Sequence, residues 1–161
     1  MRHRPRCCAD VGHGRYNFDH VVIGHNGVFC LNSKKSACTL QADLTTRQLR
    51  LHNRYDDRHS WRDERMLSQA RRDAAALSAL IEQRTGGRLW VQPVIVWWGR
   101  FPQEGCTVAN VGIVHGDKLV ERLTAVADSQ RRTLTNPSVV ADALAPGRRR
   151  TATRTVASSS N

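Results

Sequence analysis

Tyr16 to Lys35 carries the residues best placed to do chemistry. Val21-Val22-Ile23 and Val28-Phe29-Cys30-Leu31 are β-type runs on either side of Gly24-His25-Asn26-Gly27. An Asn-Gly pair between two such runs predicts a tight hairpin. With Asn26-Gly27 as the two-residue loop, Asp19 faces Lys34; with His25-Asn26 as the loop, Asp19 faces Asn32. Opposed residues of an antiparallel pair share a face of the sheet, as do residues two apart on one strand. Both registers therefore put Asp19, Asn32 and Lys34 on one side. A carboxylate, an amide oxygen and an ammonium at the open end of two paired strands suit Mg²⁺-assisted phosphodiester hydrolysis. A hard cation takes oxygen ligands and polarises a phosphate. A nearby Lys orients water and offsets developing charge. A solvated ion pair between Asp19 and Lys34 accounts for the same residues with no chemistry at all.

The elements around this hairpin have to hold it in place. Both faces of its strands are apolar near the turn, which predicts a position inside a sheet covered by helices. Thr39-Leu40-Gln41-Ala42 and Gln48-Leu49-Arg50-Leu51 read as short strands of a meander. Ser60-Trp61-Arg62-Asp63 resembles a capping box. Met66, Ala70, Ala74, Leu77 and Ile81 then recur at spacings of 4, 4, 3 and 4. That is one apolar stripe on a helix over about 62–85, stopped by Gly86-Gly87. Val94 to Trp98 predicts a strand, with Pro93 at its start or edge. Val108 to Val114 predicts another, and Lys118 to Ala127 a short helix. The order describes an α/β domain, a mixed sheet with helices packed on it. Residues 1–15 show no period and read as an irregular lead-in, 16–128 as the domain, and 129–161 as a disordered basic tail.

Composition narrows the classes further. The 161 residues suffice for one domain with a real core, and no apolar run approaches a membrane span. No apolar segment follows the basic N-terminus, so no signal peptide is expected and the chain reads as cytoplasmic. Five Cys at spacings that match no zinc pattern read as free thiols rather than as a metal site. The net charge is +11, yet residues 19–128 account for only +3 of it. Of the 25 basic residues 22 are Arg, a skew that a GC-rich genome also produces. A polyanion-binding role and a plain compositional bias therefore both remain open for the charge.

The blocks Asn17-Phe18-Asp19-His20-Val21-Val22-Ile23-Gly24, Asn26-Gly27-Val28-Phe29 and Leu31-Asn32-Ser33-Lys34 resemble the signature of the NERD, or nuclease-related, domain. The resemblance covers residues 16–125. It implies a restriction-endonuclease-like fold and a nuclease using Mg²⁺ or Mn²⁺. It makes Asp19 the metal-binding acid, Asn32 the second ligand, Lys34 the catalytic lysine and Gln69 a helix residue reaching the site. It also implies nucleic acid as partner, with Lys35, Arg71, Arg72, Arg148, Arg149 and Arg150 as candidate phosphate contacts. Two departures follow. The second ligand is an amide rather than a carboxylate, so the metal is expected to bind weakly. The family's opening helix and edge strand are expected to be missing, because the residues before Asp19 show no helical period and no Glu. A catalytically silent remnant, binding nucleic acid or acting as an interaction module, is the competing expectation.

Overall fold

The computed structural model describes residues 6–13, 16–56, 58–130 and 136–145. Its centre is a six-stranded mixed sheet in the order β1-β2-β3-β7-β9-β8. β1 (Arg6–His13), β2 (Tyr16–Gly24) and β3 (Gly27–Lys34) form an antiparallel meander. β3 then pairs in parallel with β7 (Val91–Trp97), and β7 with β9 (Val111–His115). β8 (Gly105–Val108) closes the far edge, antiparallel to β9. A separate three-stranded sheet is built from β4 (Thr39–Asp43), β5 (Gln48–His52) and β6 (Ser60–Arg62). The helices are α1 (Arg65–Thr85), α2 (Leu119–Gln130) and α3 (Pro137–Leu144). This is the expected restriction-endonuclease-like α/β arrangement.

The central strands explain the layering. β3 and β7 are apolar on both faces, so both faces need cover. Val21, Ile23, Val28 and Cys30 face Ala74, Leu77, Leu80 and Ile81 of α1, together with Val140, Ala141 and Leu144 of α3. Further along the same face, Ile95, Trp97 and Ile113 pack with Met66, Leu67 and Ala70 and with Leu40, Leu49 and Leu51 of the small sheet. On the opposite face Phe29, Leu31, Val94, Val96 and Val114 meet Leu119 and Leu123 of α2. The hairpin turns at His25-Asn26, with Gly24 opposite Gly27. Gly27, at φ 120°, takes the conformation that a side chain would disfavour.

Several expectations need correction. The stretch read as an irregular lead-in is an edge strand, paired with β2 from Arg6↔Ile23 to His13↔Tyr16. The edge strand expected to be missing is therefore present. Backbone hydrogen bonds define it, and Arg-Cys-Cys-Ala-Asp-Val-Gly-His has no alternation to announce it. The tail read as disordered from 129 contains the last residues of α2 and all of α3. Val140, Ala141 and Leu144 are buried, and the Arg84 guanidinium donates to the Ala143 carbonyl at 2.8 Å. Arg148, Arg149 and Arg150 lie outside the described residues. Finally, Ser60–Arg62 is strand β6 rather than a capping box. The helix begins at Arg65, and the Asp63 carboxylate accepts the Met66 N–H at 2.9 Å.

Candidate active site

The site grows from the point where β2 and β3 part. The last opposed pair of that ladder is His20↔Leu31. β3 continues beside β7 as far as Lys34↔Trp97. Past His20, the Asp19 carboxylate takes over as partner for β3 and accepts the Ser33 N–H at 3.2 Å. A strand end that would carry an unpaired donor is thus satisfied by an acid that stays exposed. The Ser33 hydroxyl accepts the Trp98 indole N–H at 2.8 Å, which ties the same strand end to the segment after β7.

Asn32 and Lys34 alternate with Ser33 and face α1. Asn32 is 4% exposed, the single polar residue among the buried described side chains. Lys34 is half-buried and its Nζ donates to the Gln69 Oε1 at 3.4 Å. Asn32 and Lys34 therefore share a face, Asp19 stands beside them at the strand end through Ser33, and Gln69 reaches Lys34 from the helix.

One residue of this site was not anticipated. Asp73 lies one helical turn beyond Gln69, and its carboxylate is hydrogen-bonded by the Asn32 side chain. The pairing has a metric reason. Two residues of strand advance about 6.6 Å, and four residues of helix about 6 Å. Antiparallel to β3, α1 therefore matches Lys34 with Gln69 and Asn32 with Asp73. Gln69 was already expected at the site, so counting four residues on would have reached Asp73.

The electrostatics follow from this packing. Burial raises the Asp73 carboxyl above its ordinary value. The Asn32 hydrogen bond, Arg72 and Lys34 act against that, and Asp19 acts with it. Cys30, the next residue inward on the same face, is pushed up to about 12 by burial, with Asp73 and Asp19 adding to the effect. It is a thiol in the floor of the site, with no thiolate to offer as a nucleophile or ligand. Among the described residues no three His, Cys, Asp or Glu side chains gather as a metal cluster. The oxygen donors here are two carboxylates and two amides.

The family model for the nuclease-related domain, NERD, matches residues 5–98. The chain belongs to the NERD family. The match begins just ahead of β1 and ends just past β7, so it spans Asp19, Asn32, Lys34, Gln69 and Asp73. The β8-β9 hairpin, α2 and α3 lie beyond it. No curated protein and no solved structure shows a significant match to the chain.

The remaining candidates of the NERD domain divide by position. Lys35 is exposed at the end of β3, on the side away from Lys34. Arg72 is exposed and close enough to Asp73 to act on its charge. Arg71 points elsewhere, to a concavity it lines with Arg47, Thr107 and Asn110. Among the described residues no helix is long and apolar enough to cross a membrane.

Proposed function

We propose that this NERD domain is a divalent-metal-dependent nuclease acting on nucleic-acid phosphodiesters in the cytoplasm. The observation that carries the reading is that Asp19, Asn32 and Lys34 come together at the end of β3, with Lys34 held by Gln69. The donor set fits Mg²⁺ or Mn²⁺, because every ligand on offer is a hard oxygen. Asp19 and Asn32 would hold the ion. Once bound, such an ion supplies Lewis-acid polarisation of the phosphate and activation of a water. The chain's own residues do the rest. Lys34 donates toward the attacking water and the phosphate oxygens, and Gln69 fixes where its ammonium stands. Ser33 holds Asp19 by the backbone, and the buried Asn32 keeps the floor of the site rigid. The odd number of cysteines suits a reducing compartment.

The test is cleavage of plasmid and single-stranded substrates in millimolar Mg²⁺ or Mn²⁺. Cleavage is expected with metal, and EDTA is expected to abolish it. A protein inert in both metals would leave NERD membership intact and return the chain to the silent, nucleic-acid-binding or interaction module.

Nucleic-acid binding is proposed to draw on the Arg-rich segment around Arg148-Arg149-Arg150. α3 is part of the core, so the informative truncation removes 146–161 and keeps everything before it. Each lost phosphate contact lowers the slope of log affinity against log salt by about 0.7–0.9. The truncated protein should bind more weakly at low salt and with a shallower salt dependence. An unchanged slope, measured by fluorescence anisotropy, would remove the segment from the interface.

A further inference from the structure

The NERD site as first assembled has one carboxylate, because position 32 on β3 is an amide. The structure brings a second carboxylate to the same place from the helix. Asp73 sits one turn beyond Gln69 on α1, bonded to the side chain of Asn32. Asn32 is almost wholly buried and lies between Cys30 and Lys34 on β3, next to the Ser33 N–H that the Asp19 carboxylate accepts. We propose that Asp73 is a metal-binding carboxylate of this site, supplying from α1 the second charge that Asn32 does not supply from β3. This inference rests on the nuclease reading above and names a ligand for it.

Three observations carry the proposal. The first is the match of repeats between β3 and α1, which sets Asp73 over Asn32 just as Gln69 stands over Lys34. The second is the role of Asn32. An amide that donates to a carboxylate orients it, works against the effect of burial on its charge, and leaves its remaining lone pairs for a cation. An ionised carboxylate at position 32 has no hydrogen to donate to Asp73. The third is charge. Asp19 acts on the Asp73 charge, the cations that act on it are Lys34 and Arg72, and neither of these forms an ion pair with Asp73 within 4 Å. Two carboxylates plus substrate phosphate oxygens and water are a usual complement for Mg²⁺, which keeps much of its hydration.

Asn32 then has a different meaning. It is the residue that orients a helix-borne acid, and the amide is the appropriate group for that task. Asp73 is half-buried and Asp19 exposed, so the two carboxylates would offer an ion one ligand from the helix and one from the strand end.

The experiment is a Mn²⁺ titration of the full chain, read by calorimetry and by metal-dependent thermal shift, with no substrate present. Wild type, Asp19→Asn, Asp73→Asn, Asp73→Glu and Asp117→Asn are compared. Asp117 is an exposed carboxylate beside His115, at the far end of β9. Asp73→Asn keeps an acceptor for Asn32, so the fold is retained, and Asp73→Glu keeps the charge. Asp19→Asn and Asp73→Asn should each weaken Mn²⁺ binding at least tenfold. Asp73→Glu should recover part of the loss, and Asp117→Asn should match wild type. Wild-type Mn²⁺ affinity in Asp73→Asn alongside a loss in Asp19→Asn would overturn the assignment of Asp73 and leave the metal site standing on Asp19. No Mn²⁺ binding by wild type would overturn both.

Discussion

Lys34→Ala is expected to lower metal-dependent cleavage by about 10²-fold or more, the usual cost of removing one preorganised group that meets developing charge. The fold should barely register the change. Lys34 is half-buried, and its hydrogen bond to Gln69 is long at 3.4 Å. A bond of that geometry contributes at most about 0.5 kcal/mol. For a chain of this size that is a shift of about 1–2 °C in Tm. The pair of measurements is decisive because the two readings differ in it. If Asp19 and Lys34 were only a solvated strand end, neither activity nor stability would depend on Lys34. Gln69→Ala should fall between wild type and Lys34→Ala, since it leaves the ammonium in place and removes only the group that holds it. Cleavage by Lys34→Ala at the wild-type rate would remove Lys34 from the machinery.

The parts of the molecule that could be read from sequence are those whose side chains repeat. The hairpin is announced by β-branched runs flanking Asn26-Gly27, and parity alone puts Asp19, Asn32 and Lys34 together whichever loop is chosen. The loop proves to be His25-Asn26, with positive φ needed at Gly27. The α1 stripe of Met66, Ala70, Ala74, Leu77 and Ile81 is buried at every position. What escaped notice depends on backbone or on distant partners. β1 is held at the sheet edge by its ladder with β2, so its side chains need no pattern. Val108 to Val114 reads as a single strand, yet it breaks into β8 and β9 at Ala109-Asn110, with φ of 47° and 65°. Ala is a poor indicator of a left-handed turn. α3 is eight residues long and apolar only because α1 waits for it. Asp73 was missed for a similar reason. On a helical wheel it is a polar residue beside the apolar stripe, and only the strand it packs on makes it part of a site.

Asn32→Asp should destabilise the metal-free protein and tighten its hold on metal, two opposite effects from one atom exchange. The position is 4% exposed, and its amide donates to Asp73. A carboxylate there gives up the donor and places two acids at hydrogen-bonding distance. Two such groups cannot both ionise cheaply, so they share a proton or repel. The loss should be about 2–3 kcal/mol, the range for a buried polar group left without its partner or a buried charge left unpaired. In a chain of this length that corresponds to a fall of about 5–10 °C in Tm at neutral pH. The pH dependence has a definite sign. The Asp73 carboxyl is already raised by burial, and a second acid beside it raises it further. A carboxyl whose folded value lies above its unfolded value favours the fold at low pH and loses that contribution as pH rises through the folded value. The deficit of Asn32→Asp relative to wild type should therefore shrink as pH is lowered from 8 toward 5. Millimolar Mn²⁺ at pH 8 should do the same by another route, since a divalent ion between the two acids replaces the shared proton. Its dissociation constant should tighten about tenfold, equal to about 1.4 kcal/mol. A Tm deficit that ignores both pH and Mn²⁺ would mean that Asn32 is merely a packed core amide, and that Asp19 and Asp73 never share an ion across it.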